Sequence, residues 1–219
     1  MLSAVIPTLN AAGHLPLCLQ RLAGADEIIV VDGGSGDGTQ QQAEQAGARL
    51  VLSPKGRGLQ LQCGADAAKG NWLLFVHADT VLGRGWRRAV DRHIRDYPEQ
   101  AGCFRFRLAD PARQARLIER GVAARVRLFG LPYGDQGLLV SRALYDAVGG
   151  FRPLPLMEDV DLVRRIGRGR LRVLDDVAVT SSERWRRDGW VQRSGRNLLC
   201  LVLYAAGVAP ERIARLYTR

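Results

Sequence analysis

The residues able to do chemistry fall in four short stretches. FVHADT, residues 75–80, closes an unbroken apolar run at 72–76 with His77 and Asp79, and VVDGGSGDGT, residues 30–39, closes another with Asp32 and four glycines. SPKGRG, residues 53–58, carries the cations Lys55 and Arg57, and MEDVDLVRR, residues 157–165, sets Glu158, Asp159 and Asp161 within about one helical turn. Glycines let backbone approach a ligand closely. Two cations on a flexible loop could close on a diphosphate or lie on a solvated turn, and three acids within four residues fit the first turn of a helix, where they complement its dipole.

The elements that must position these groups follow from the apolar pattern. Residues 72–76 are too few to span a bilayer and are bounded by Gly70 and polar side chains, which predicts a strand buried on both faces. His77, Ala78 and Asp79 then emerge at its carboxyl edge, where open α/β sheets bind ligands. Upstream, the pattern predicts a strand at 2–6 stopped by Pro7 and a helix capped by Asn10 with Leu15, Leu19 and Leu22 at helical spacing. A strand at 27–31, a helix at 39–46, a strand at 49–52 and a helix at 59–68 follow. This alternation predicts a parallel sheet with right-handed crossovers, which opens Asp32, the 53–58 loop and Asp79 on one edge. Downstream, helices are expected at 86–94 and 112–129, strands at 102–108 and 138–140, and a further helix opening at 157–161. In the 112–129 helix, Ala115, Ile118, Val122, Val126 and Phe129 share one side and Arg113, Arg116, Arg120 and Arg127 cluster on another.

Two better-known phosphate loops are excluded. The GxGxxG dinucleotide pattern fails because Thr39 stands where the third glycine should follow Gly34 and Gly36, and a Walker A loop fails because the chain has no Gly-Lys pair. With 219 residues and 47% hydrophobic content, the chain can build one substantial core. Its net charge is +10, and all but Lys55 and Lys69 of the 32 basic residues are arginine. That fits either a solvated basic surface or an anionic partner. Cys18, Cys63, Cys103 and Cys200 form no CxxC pair, which argues against structural zinc and for a reducing compartment. The start, MLSAVIPT, lacks a signal-peptide pattern. The 112–129 helix and the tail, with Trp185, Trp190 and an apolar run at 198–208 about half a bilayer span long, could rest on an anionic membrane surface.

VIPTLN at 5–10, the glycine loop at 30–39, FVHADT at 75–80 and MEDVDLVRR at 157–165 together resemble the family 2 glycosyltransferases with the GT-A fold, across residues 1–170. The likeness leans to a small bacterial branch with HADT in place of the commoner DxD and with GDQG before the acidic pair. It implies an α/β fold, a single GT-A type domain with a mostly parallel, Rossmann-like central sheet flanked by helices and a C-terminal helical tail. Residues 1–183 would form that domain, with a nucleotide-binding half at 1–80 and an acceptor half at 81–183. Residues 184–219 would form a helical extension packed on the domain or at a membrane surface.

The resemblance further implies transfer of a sugar from a nucleoside-diphosphate sugar to an acceptor hydroxyl, dependent on a divalent metal, Mn2+ or Mg2+, and inverting. Asp79 would hold the metal, with His77 a second contact in place of the usual first acid. Pro7, Thr8, Asn10, Asp32, Gly34, Lys55, Arg57 and Ala78 would line the nucleotide site, and Asp32 would contact the base or ribose. Asp135 and Gln136 would face sugar or acceptor. Asp159 would be the general base, Glu158 its orienting neighbour, and Asp161 would face away or cap the helix. Gln192, Arg193 and Arg196 loosely match a cluster that closes over the diphosphate. The acceptor is open, a lipid-linked one included, and the expected location is cytoplasmic, peripheral to the inner face of the membrane. Two other readings stand beside this one. A sugar-nucleotide nucleotidyltransferase should carry a glycine- and basic-rich N-terminal signature, which VIPTLN lacks. A non-catalytic basic module for lipid or nucleic acid should lack an ordered acidic site, so no nucleic acid is expected.

Overall fold

In the computed structural model, which describes residues 1–217, the first third of the chain alternates strand and helix. The order is β1 (Leu2–Thr8), α1 (Leu15–Leu22), β2 (Glu27–Asp32), α2 (Thr39–Gln45), β3 (Arg49–Leu52), α3 (Arg57–Ala67) and β4 (Trp72–Phe75). There follow β5 (Thr80–Leu82), α4 (Trp86–Asp96), β6 (Ala101–Leu108), α5 (Arg113–Phe129), β7 (Leu138–Ser141), α6 (Arg142–Ala147) and α7 (Glu158–Ile166). The chain continues with β8 (Leu171–Thr180), α8 (Glu183–Asp188), α9 (Trp190–Ala205) and α10 (Pro210–Tyr217). All strands join one eight-stranded sheet in the order β3-β2-β1-β4-β7-β6-β8-β5. The β3, β2, β1 and β4 strands are parallel, and β6 pairs parallel with β8. The β7 strand runs antiparallel between β4 and β6, and β5 antiparallel on β8. The result is the single α/β domain with a mostly parallel sheet flanked by helices that the sequence implies.

Alternating side chains of the central strands feed two cores. Ala4 and Ile6, Val30, and Trp72 and Leu74 pack with α1 and α4 on one face. Val5, Ile29 and Val31, and Leu73 and Phe75 pack with α3, α6 and α7 on the other. Both faces being apolar, these strands read as continuous hydrophobic runs. On the second face α3 approaches the sheet so closely that a Cβ on Gly64 would overlap the side chains of Val5 and Val31.

The glycine loop after β2 is tied by Asp32, which is fully buried. Its Oδ1 accepts from Thr8 Oγ1 at 3.0 Å and Ser35 Oγ at 2.5 Å, and its Oδ2 from Gly34 N, Ser35 N and Gln40 Nε2 at 3.0, 2.8 and 2.7 Å. Burial works against this charge, but the hydrogen bonds led by Ser35 outweigh it and hold the carboxyl below its ordinary range. Both oxygens are spent on the protein, so Asp32 organises the loop and does not present itself to a nucleoside.

Several local expectations are corrected. Pro7 does not stop β1, which runs to Thr8. Val5 O accepts from Val76 N and Thr8 O from Gly33 N, so Pro7 faces the β4 side just beyond the last pairing of β4, and its missing N–H breaks no ladder bond. Asn10 caps no helix: it sits at φ 51°, and its Oδ1 accepts from Gly36 N while its N–H donates to Ser35 Oγ. Phe129 lies exposed at the end of α5 rather than on its packed side. Arg57 is the first residue of α3 and not part of the preceding loop. Strands β5 and β8 and helix α6 lie where the apolar pattern above predicts no element.

Gly64→Ala is expected to lower the unfolding free energy by about 1–3 kcal/mol, read by chemical denaturation, because the added methyl overpacks a dry core. Asp32→Asn should cost about 1–3 kcal/mol at neutral pH. Because the folded carboxyl titrates below its unfolded value, this stability is present above the unfolded value, roughly 3.9. It is lost as pH falls through the lower folded value, so the gap between wild type and Asp32→Asn should close in acid.

Candidate donor and acceptor site

Two cavities open at the carboxyl edge of the sheet. The larger, about 640 Å³, is lined by Pro7, Thr8 and Asn10 from the end of β1, Lys55 and Arg57 before and at the start of α3, and His77, Ala78 and Asp79 after β4. These are most of the positions the sequence assigns to a nucleotide, brought together because parallel strands end side by side: Thr8 pairs with Asp32, and Val5 with Phe75. Asp32 and Gly34 are absent from the lining, and the Gly34 N–H is spent on Asp32. Gln60, which the sequence reading missed, closes the floor: its Nε2 donates to Thr8 O and Val31 O at 2.7 and 2.9 Å, stitching β1 to β2.

The smaller cavity, about 120 Å³, is lined by Asp135, Glu158 and Asp159 with Tyr133, Trp185 and Cys200 among others. Arg57, His77, Asp79, Ser181 and Arg184 line both cavities and so form their common wall. Asp79 is held there by the sheet: Ser181 N donates to Asp79 O at 3.1 Å, and the adjoining Thr80 and Thr180 hydroxyls meet at 3.0 Å. Gly134 makes the close approach possible. Its N–H donates to Asp159 Oδ2 at 2.7 Å, and a Cβ on it would lie 2.5 Å from His77 Nε2. No motif in the sequence marks Gly134 for this role beyond its place in GDQG.

The pair 158–159 opens α7 after Met157, whose φ of 67° turns the chain sharply. Such a left-handed non-glycine residue costs about 1–3 kcal/mol and persists where packing holds it; Met157 is clamped with Val160, Cys200 and Ile213. Glu158 is buried, with Arg57 Nη1 3.3 Å from its Oε1. Asp161 faces away from both cavities and caps no backbone N–H of the helix; it is buried, with Arg165 at 2.5 Å and Arg152 at 3.3 Å. Gln136 is likewise turned from both cavities: it is buried, and its Nε2 donates to Phe104 O at 3.0 Å. Arg193 lines the smaller cavity, but its guanidinium is taken by Asp188 and the Tyr217 hydroxyl at 2.7 and 2.9 Å. Arg196 reaches the Tyr217 carbonyl at 3.5 Å, and Gln192 is exposed.

The electrostatics separate the groups. Burial, helped by the Arg57 charge, pushes the His77 imidazole down to about 4, so it is neutral at pH 7. Burial pushes Asp135 up to about 7 against the pull of Arg125. Burial also raises Glu158 against the opposing Arg57 charge, while Glu158 in turn is the main cause that raises Arg57. Two buried carboxylate oxygens lining the smaller cavity, Asp79 Oδ1 and Asp135 Oδ1, have no hydrogen-bond partner, and Glu158 Oε1 has the Arg57 charge at 3.3 Å without an aligned hydrogen bond. Buried polar atoms without partners are rare and call for an absent donor or cation. Among the described residues no three metal-ligating side chains are preassembled. The donor set nevertheless fits a divalent ion held by one carboxylate, Asp79, with neutral His77 beside it and substrate phosphates completing the shell, as such ions are commonly bound.

Comparison with known proteins gives the same direction. A sequence profile described as Glycosyl transferase family 2 matches residues 3–152. PGL/p-HBAD biosynthesis glycosyltransferases of Mycobacterium bovis and Mycobacterium tuberculosis are 41% identical over 37% of this chain and 36% of their own length, so the chain spans about a third of those relatives. Among solved structures, S. aureus TarS 1-349 in complex with UDP superposes with a TM-score of 0.64 at 19% identity, covering 82% of this chain and 60% of that one. Glucosyl-3-phosphoglycerate synthase from Mycobacterium tuberculosis, in complex with Mn2+, UDP-glucose and phosphoglyceric acid, gives 0.59 at 23% identity, covering 79% and 68%. With the profile spanning more than half the residues and the sheet matching these neighbours, the chain belongs to glycosyl transferase family 2.

Proposed function

We propose that this chain transfers a sugar from a nucleoside-diphosphate sugar to an acceptor hydroxyl with inversion at the anomeric carbon. The observation that carries the reading is the shared wall, where the nucleotide-sized cavity and the smaller acidic cavity meet at Arg57, His77 and Asp79, with Asp159 across Gly134. A nucleotide lying in the larger cavity brings its diphosphate to Lys55, Arg57 and Asp79, and its sugar to the smaller one.

Asp159 is the general base in this reading. Backbone N–H groups of Gly134 and Val160 aim its two oxygens, each at 2.7 Å, and each oxygen keeps a lone pair for substrate. One oxygen takes the acceptor hydroxyl proton while the acceptor oxygen bonds to the anomeric carbon; the bond from that carbon to the diphosphate breaks, and its electron pair leaves with the phosphate oxygen. Arg57 meets the developing negative charge, and Glu158 holds Arg57 in place. A divalent ion bound at Asp79 would neutralise further charge on the leaving diphosphate. Asp135, poised near neutrality by burial, can donate or accept a hydrogen bond to a sugar hydroxyl. UDP with Mn2+ is the pair to try first, because the two structural neighbours hold UDP or UDP-glucose and one holds Mn2+.

Two measurements check this. Calorimetry of UDP, GDP and dTDP, each with Mn2+, Mg2+ or chelator, should show metal-dependent binding of one diphosphate that Asp79→Ala abolishes; if none binds, the donor site is not there. Asp159→Asn should keep that binding and lower kcat by about 10²–10⁴-fold, the usual contribution of a positioned base. Unchanged turnover would remove Asp159 from the role.

A further inference from the structure

The outward face of α9 is apolar and uncovered. Val191, Leu198, Leu199 and Val202 are 86%, 62%, 54% and 54% exposed, and Val191, Gly195, Leu198, Val202 and Ala205 follow one line along the helix. No charged residue stands on that line. The opposite face is anchored, with Cys200 packed on Met157, Val160 and Ile213, so the stripe is presented by a fixed helix. A contiguous apolar patch of this kind marks an interaction surface.

The surroundings say what fits it. Residues 183–217 carry seven arginines against the three acids Glu183, Asp188 and Glu211. The tryptophans Trp185 and Trp190 stack with ring centroids 6.2 Å apart and, like Ile118 and Val122 of α5, pack against the buried cluster of Phe106, Leu108 and Ala115. On α5, exposed Leu117 and Leu128 lie beside a row of exposed arginines at seven-residue spacing, Arg113, Arg120 and Arg127. A second copy of this chain, with a net charge of +10, would set like-charged surfaces against each other. An anionic bilayer instead meets aliphatic side chains with acyl chains, arginines with phosphates and tryptophans with the headgroup layer. Among the described residues no helix is long and apolar enough to cross a membrane, so α9 would lie in the interface plane.

Asn197 and Cys200 of the same helix, with Trp185, line the smaller cavity. We propose that the α9 stripe seats the protein on an anionic phospholipid surface, with the cavity on the other side of the helix about 10 Å above it, so that the hydroxyl reaching Asp159 belongs to a bilayer-anchored molecule. The last step rests on the transferase reading; the seating does not. Flotation without nucleotide, on vesicles of equimolar phosphatidylglycerol and phosphatidylcholine and on phosphatidylcholine alone, separates the two. Wild type should float with the anionic vesicles only, and the double variant Leu198→Asp with Val202→Asp should float about tenfold less while keeping its thermal transition. The seating is overturned if wild type stays unbound with both vesicles, or if the variant floats like wild type. It is overturned equally if wild type is a dimer in solution that the variant makes monomeric, since a second copy then covers the stripe. A failed UDP titration with intact flotation would sink the transferase reading and leave the seating standing.

Discussion

The pairing of Arg57 with buried Glu158 joins the two ends of this site. Arg57 opens α3, on the nucleotide side, and Glu158 opens α7, on the acidic side. A buried carboxylate whose partner is removed costs about 3–5 kcal/mol, so the two helix starts are held together by the need to keep that charge matched. Once they are, Asp79 and Asp159 come to line one cavity, and the substrate phosphates proposed here would enter a field set by the Arg57 and Arg184 guanidiniums and several carboxylates.

That field is incompletely matched within the protein itself. Asp79 and Asp135 each leave a buried oxygen without a hydrogen bond, a standing cost that substrate hydroxyls, a metal ion or ordered water can relieve. Asp32 is the contrast, since five donors consume its oxygens and leave nothing for a ligand. Two aspartates at the ends of parallel strands on either side of β1 therefore divide the work. One ties the glycine loop, and the other faces into the larger cavity.

Glycine at 134 sets a steric condition for the rest. The His77 ring lies where a side chain at 134 would be, and the Gly134 N–H holds Asp159. The His77 imidazole and the Asp159 carboxylate can crowd together only because that backbone carries no Cβ. The C-terminal helices close the far side, with Met157 and Val160 at the start of α7 packed against Cys200 and Ile213. The acidic cavity is lined by Asn197 and Cys200 of α9, and the apolar face that α9 leaves outward lies on the other side of the same helix.

The sequence by itself determined the alternation of short apolar runs with helical segments, and with it the parallel edge at which His77, Asp79, Lys55 and Arg57 converge. Local spacing suffices there, because strand period and burial depend on side-chain type along the chain. It also showed the acid-rich first turn of α7. What each polar group bonds to was decided only by the tertiary structure, since the partners lie far along the chain. Asp32 is consumed by its loop, Gln136 is turned onto Phe104, Asp161 is locked to Arg165, and Gln60 seams β1 to β2. The antiparallel insertion of β7 and the long β8, which brings Thr180 beside Asp79, likewise depend on pairing between distant segments. A hydrogen-bonding group announces its capacity in the sequence, but its partner is chosen by the fold.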